Sequence, residues 1–289
     1  MATILVTGAT GTIGSAVVDA LLRSGAATVR VAVRDAKKAE ALSARGAVPV
    51  SFAWEDAAQV RAALQGVERV FLLTPFVNNA AELVAPLLKE AKAVGVKHIV
   101  KLSAFGSEFE NGIFLGKEHR AVERLIEGSG IAYTFLRPNN FFENFVNFYP
   151  PAPDGNIYLP WGEGKCSFID GRDVAEVAVA ALLSQDHVNK AYTLTGGEAF
   201  GIAEAAKILS EVTGRSIRYV DVPEEAAKGA MAQLGMPGWM VDAMMELHYI
   251  DKMNYAAVVT DELSKLLGRA PRSFRSFAQE RAAAGTWKA

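Results

Sequence analysis

Three glycines, Gly8, Gly11 and Gly14, stand in the run Ile4-Leu-Val-Thr-Gly-Ala-Thr-Gly-Thr-Ile-Gly14, between an apolar segment and an amphipathic one. Glycine spacing alone also occurs in ordinary structural turns, but between a strand and a helix it points to the holding of a dinucleotide pyrophosphate against backbone N–H groups. Gly8 permits a tight turn, Gly11 lets a phosphate approach the backbone, and Gly14 lets the following helix settle onto the sheet. That helix, expected over Thr12–Ser24 with Val17, Leu21 and Leu22 inward, aims its positive dipole end at the phosphates. Gly8, Thr10, Gly11, Thr12 and Ile13 form the expected cradle, with Thr10 and Thr12 adding hydroxyl donors.

The choice of cofactor turns on the end of the second strand, Val33-Arg34-Asp35-Ala36-Lys37-Lys38. Arginine there meets a ribose 2′-phosphate, whereas an acidic residue accepts from a 2′-hydroxyl. Arg34 therefore favours NADP(H), with NAD(H) as the alternative; a solvated turn is the plain structural reading of the same residues. Asp35 either caps the next helix or touches a ribose.

Placing these groups requires a layered frame. Strand-like runs alternate with helical patterns: Thr28–Val33 then Ala36–Ala44, Val48–Phe52 then Ala57–Leu64, Arg69–Leu73 then Ala80–Val94, and His98–Ser103, a helix from Lys117 to Gly128, then Ala132–Arg137. Short apolar strands separated by helices give an α/β fold, a Rossmann-like doubly wound parallel sheet with helices on both faces. Residues 1–140 are the expected nucleotide-binding domain. Residues 141–289 are expected to form a smaller mixed and helical substrate lobe, interleaved with the first, with part of the sheet returning near 165–195. Within it, Asp173–Leu183 and Ile202–Thr213 read as helices, and Asp173 as a helix cap.

Composition narrows the function classes. The 289 residues are 51% hydrophobic and 21% charged, with a net charge of −2, so the chain can bury a large core and carries no global positive field for nucleic acid. A single cysteine, Cys166, excludes an internal disulfide and fits a reducing, cytoplasmic setting. No uncharged apolar run reaches the ~18 residues of a membrane span. The four histidines, His98, His119, His187 and His248, show no metal-ligand spacing. The expected partner is a small aromatic molecule, with the chain a monomer or homodimer.

Several longer motifs carry a family resemblance: Thr7-Gly-Ala-Thr-Gly-Thr-Ile-Gly14, Val33-Arg-Asp35, Gly95-Val-Lys-His-Ile-Val-Lys-Leu-Ser103, Ser129-Gly-Ile-Ala-Tyr-Thr-Phe-Leu-Arg-Pro138 and Phe142-Glu-Asn144. Together they resemble NmrA-like atypical short-chain dehydrogenases, and within that group the bacterial NAD(P)H-dependent quinone, azo-dye and triphenylmethane-dye reductases. The resemblance implies further cofactor contacts at Leu73, Thr74 and Pro75, at Ser103 and Ala104, and at Asn139, Asn140 and Phe141. Where many relatives carry Gly-Asp before an aromatic, Phe52-Ala53-Trp54 stands here, and Trp54 either stacks on adenine or packs as an ordinary hydrophobe.

The same resemblance exposes a departure. Short-chain dehydrogenases use a Tyr four residues before a Lys as proton donor; here Leu115 and His119 fall at those positions. Either hydride passes to a strongly electrophilic conjugated acceptor while His119 holds a ribose or carboxamide group, or His119 itself donates the proton. The acceptor is expected against Phe76, Phe105, Phe142, Phe145, Tyr149 and Trp161. An NAD(P)H-dependent reductase is the resulting expectation. A dinucleotide-binding redox sensor without turnover is the alternative, and a sugar-nucleotide epimerase is weaker because it needs the missing tyrosine.

Overall fold

The computed structural model describes residues 1–288, which divide into two compact units. The first comprises Met1–Arg137 with Val174–Tyr192, and the second comprises Pro138–Asp173 with the chain from Thr193 onward.

In the first unit the strands β1 (Ala2–Val6), β2 (Ala27–Val33), β3 (Val48–Ser51), β4 (Arg69–Leu72), β5 (His98–Leu102) and β6 (Ala132–Pro138) belong to a sheet of order β3-β2-β1-β4-β5-β6, to which β9 (Lys190–Leu194) adds an edge. Pairing is parallel from β3 through β6. The order reverses between β1 and β4, which creates a switch point at the carboxyl edge of the sheet. The crossovers are α1 (Thr12–Ser24), α2 (Ala36–Ser43), α3 (Ala57–Leu64), α4 (Ala80–Val94) and α5 (Phe114–Ser129). Helix α1 follows its apolar periodicity, burying Ile13, Val17, Val18 and Leu21, and stops at Gly25, whose φ of 61° is a left-handed cap that glycine adopts freely. Helix α3 starts where Asp56 accepts hydrogen bonds from the Ala58 and Gln59 N–H groups. Leu5, Val70, Leu72 and Ile99 pack against Val60, Leu64, Val84 and Leu87 on one face of the sheet. Helix α5 begins three residues earlier than the pattern Lys117–Gly128 suggests, which brings Leu115 and His119 onto one helix.

The second unit has a core of aromatic rings. Phe142, Phe145, Trp161, Phe168, Phe200, Phe274 and Phe277 are all buried there, with Trp161 stacked on Phe168 at 5.8 Å and Phe145 against Phe274 at 4.7 Å. Two small sheets frame this core: β7 (Asn156–Leu159) with β11 (Arg218–Asp221), and β8 (Lys165–Cys166) with β10 (Phe200–Gly201). The expected return to the large sheet is therefore narrower than 165–195: β8 pairs antiparallel with β10, and only β9 rejoins. Helix α7 (Gly171–Leu183) starts two residues before Asp173. Asp173 is accordingly no cap; fully buried, it accepts from Arg269 Nη2 at 2.7 Å, from the Arg272 N–H at 2.8 Å and from the Arg272 guanidinium. Further along, Arg275 pairs with Glu211 and Arg281 lies over the Phe277 ring. No helix is long and apolar enough to cross a membrane among the described residues.

Candidate cofactor site

At the carboxyl edge of the first unit, the ends of β1, β2, β3 and β4 surround a cavity of about 830 Å³. Its walls include Thr7, Gly8 and Thr10 after β1, Arg34 and Asp35 after β2, Trp54 after β3, and Leu73 and Pro75 after β4. Parallel strands place all these turns on one edge, so residues far apart in sequence meet there. Thr7 ties two of them together: its Oγ1 donates to the Leu73 carbonyl at 2.9 Å and accepts from the Leu73 N–H at 2.8 Å.

A dinucleotide fits this edge on two observations. A Cβ on Gly14 would meet the Gly8 carbonyl oxygen at 2.1 Å and its carbon at 2.6 Å, so the turn lies flat on the first helical turn only because that side chain is absent. Gly8, at φ 64°, requires the left-handed region, and a Cβ there would also press on Leu73 Cδ2 at 2.8 Å. Helix α1 is capped by Gly11 with no side-chain hydrogen bond, and its first turn holds no acidic residue. An anion is thereby favoured at this helix end. Arg34 is exposed at the rim, while Asp35 is spent as the cap of α2, its Oδ1 accepting from the Lys38 N–H at 3.1 Å. Trp54 lines the cavity and packs edge-on against buried Phe52 at 5.0 Å.

A second feature lies between β5, β6 and α5. Every residue of β5 is buried, including Lys101. Its Nζ donates to the Leu102 carbonyl at 2.9 Å and stands 2.8 Å from Nδ1 of His119. Glu123, fully buried, accepts from Ser103 Oγ at 2.6 Å and from Arg137 Nη2 at 2.7 Å and Nε at 3.0 Å. Burial pushes the Glu123 carboxyl up, but the Arg137 guanidinium and the Ser103 hydroxyl outweigh it and hold the group below the usual glutamate range. Burial lowers Lys101 to about 7, Glu123 opposing the shift and Arg137 adding to it. Burial, with Lys101 alongside, drives His119 well below the ordinary histidine value. His119 is therefore a neutral imidazole at physiological pH.

Of the expected cofactor residues, Gly8, Thr10, Arg34, Leu73 and Pro75 come together around the cavity. Gly11, Thr12 and Ile13 form the helix start beside it, with the Ile13 side chain buried in the core. The Ser103 side chain is 4% exposed and committed to Glu123. In the second unit, the Asn139 amide is likewise committed, donating to Ser167 Oγ and the Ala256 carbonyl and accepting from the Asn140 N–H. Asn140 Nδ2 donates to the buried Asp251 carboxylate, and Phe141 bridges to Ile169. Of the expected acceptor surface, Phe142, Phe145 and Trp161 are at most 2% exposed and walled in by other rings. They are core, not open faces for a flat ligand. Tyr149 packs against Phe145 in the same unit, whereas Phe76 and Phe105 of the first unit retain accessible surface. Burial pushes the Cys166 thiol well up, which agrees with a packing role.

The NmrA-like family pattern matches residues 1–278. The chain belongs to the NmrA-like family. It is 41% identical over 282 residues to an NAD(P)H azoreductase from Xenophilus azovorans, covering 97% of this chain and 98% of the relative. Among solved structures, the NADPH complex of quinone oxidoreductase QOR2 from Escherichia coli superposes with a TM-score of 0.86 at 27% identity, covering 96% of this chain and 99% of that one. The NADP(H) complex of Citrobacter sp. triphenylmethane reductase gives 0.83 at 27% identity, with 97% and 99% covered.

For a member of the NmrA-like family, the residues that sequence reasoning passed over are Lys101, Glu123 and Arg137. One signal was present: a lysine inside the apolar run His98-Ile-Val-Lys-Leu102 has no place on a doubly covered strand unless something buried receives it.

Proposed function

We propose that this chain uses NADPH in preference to NADH to reduce small conjugated aromatic acceptors of the quinone, azo-dye or triphenylmethane-dye kind, without a tyrosine–lysine acid pair. The observation that carries the cofactor preference is the β2 turn, where Asp35 is occupied in capping α2 and Arg34 remains exposed at the cavity. Arg34 binds the 2′-phosphate, the Gly8–Ile13 turn receives the pyrophosphate, and Trp54 covers the adenine face of the cavity. When bound, the reduced nicotinamide supplies hydride. Leu73, Thr74 and Pro75 flank the ribose, and the Ser103–Ala104 backbone the nicotinamide end. Phe76 and Phe105 offer the aromatic surface for the acceptor.

With Leu115 in place of tyrosine and His119 held neutral, the protein contributes position, not a strong acid. That suits acceptors whose reduced products take a proton from solvent. His119 serves as a hydrogen-bond donor to bound cofactor or acceptor.

NADPH and NADH oxidation at 340 nm, measured in parallel across quinones, azo dyes and triphenylmethane dyes, tests the reading. Acceptor-dependent turnover favouring NADPH is expected. Tight NADPH binding with no turnover on any acceptor would replace it with the redox-sensor reading. In the same assay Arg34→Ala should raise the NADPH KM by about 10- to 100-fold, the worth of a charge-assisted hydrogen bond, and leave the NADH KM nearly unchanged. Equal losses for both cofactors would remove Arg34 from 2′-phosphate recognition.

A further inference from the structure

The ammonium of Lys101 can only donate hydrogen bonds. It is fully buried, gives one to the Leu102 carbonyl, and points a second at Nδ1 of His119 from 2.8 Å. An Nδ1 facing an ammonium must present its lone pair, which leaves the ring proton on Nε2. We propose that Lys101 is a positioning residue that fixes His119 as the neutral Nε2–H tautomer, making His119 a hydrogen-bond donor to a carbonyl-type oxygen of the bound cofactor or acceptor. The tautomer claim concerns the protein alone; the donor role rests on the reductase reading above.

The pair sits at the cofactor edge. Lys101 is paired across the sheet with Leu72, the residue before cavity-lining Leu73. Glu118, next to His119, accepts from the Ala80 N–H at 3.0 Å, beside cavity-lining Asn79. A buried lysine here costs desolvation energy that a methionine or leucine in an apolar strand would not. The charges facing it are Glu123 from α5, which favours its protonated form, and Arg137 from β6, which opposes it. Arg120 of α5 adds a second cation on the same Glu123 carboxylate, at 3.1 Å. With Lys101 near 7, the ammonium predominates below neutrality and its hold on Nδ1 loosens as pH rises through that value. Histidine protonation does not interfere, because His119 stays neutral far below its ordinary range.

Long-range 1H–15N correlation spectra of the full-length protein with 15N-labelled histidine read the tautomer directly, and a His119→Gln variant assigns the signal among the four histidines. The wild-type spectrum should show a pyrrole-like Nε2 and a pyridine-like Nδ1 from pH 5 to 6, unchanged by NADPH. Lys101→Met should give a tautomer mixture and let His119 titrate closer to its ordinary value, with kcat down about tenfold, the equivalent of one neutral hydrogen bond. Lys101→Gln keeps a donor without the charge and should restore both tautomer and most of kcat, with the NADPH KM little changed. If Lys101→Met fails to fold, the wild-type and Lys101→Gln spectra decide. A wild-type Nδ1–H tautomer, or an identical tautomer in folded Lys101→Met, overturns the proposal. A locked Nε2–H tautomer in a protein that turns over no acceptor sustains the Lys101 assignment and overturns the reductase reading instead.

Discussion

Replacing Gly14 with alanine should cost about 3 kcal/mol or more of stability and at least a hundredfold in NADPH affinity, read by chemical denaturation without cofactor and by calorimetric titration with it. The added methyl carbon would stand 2.1 Å from the Gly8 carbonyl oxygen and 3.1 Å from the Ala9 nitrogen. All of these are backbone atoms, and no rotamer change relieves them. The turn must lift, and Gly8 and Thr10, which it carries, are walls of the cavity. Gly25→Ala is the informative contrast. Gly25 has φ 61° but open space around its missing Cβ, so alanine there should cost only about 1–2 kcal/mol through backbone strain and leave NADPH binding intact. If Gly14→Ala bound NADPH normally, the close approach of helix and turn would not be what shapes the phosphate site.

Glu123→Gln should destabilise the protein by about 3–5 kcal/mol, the range for removing one partner of a buried ion pair. Glu123 has no exposed side-chain surface, and Arg137, at 13%, would retain only Glu108 at 3.6 Å. The amide would also turn donors toward the Arg137 guanidinium. A pH signature accompanies the loss. Because the folded carboxyl lies below the ordinary glutamate value, its contribution is fully present above that value, about 4.3, and disappears as pH falls through the lower folded one. Urea midpoints measured between pH 6 and 2.5 should therefore fall more steeply for wild type than for Glu123→Gln. Parallel curves would show that the pair contributes no pH-linked stability.

Much of the first unit was legible in the chain. The termini of α1, α3 and α4 agree with those expected from the alternation of strand-like and helical patterns, because amphipathic faces are set by local geometry. The glycine turn between β1 and α1 was legible for the same reason, since Gly8, Gly11 and Gly14 lie within one short stretch of chain. The aromatic segment misled. Phe142, Phe145 and Trp161 are spaced like a binding surface, yet they meet Phe168, Phe200 and Phe274 from distant parts of the chain and close into a core. Composition identifies a ring but not which rings will surround it.

By itself, then, the sequence determined the strands and helices of the doubly wound sheet and its glycine turn, and marked Arg34 as the 2′-phosphate candidate, because each depends on residues within a few positions of one another. Tertiary structure alone decided that Asp173 gathers two arginines, and that Lys101, His119, Glu123 and Arg137 face one another. Protonation and tautomer follow from burial and from neighbours on other strands and helices. Those are long-range quantities, set only when β5, β6 and α5 come together.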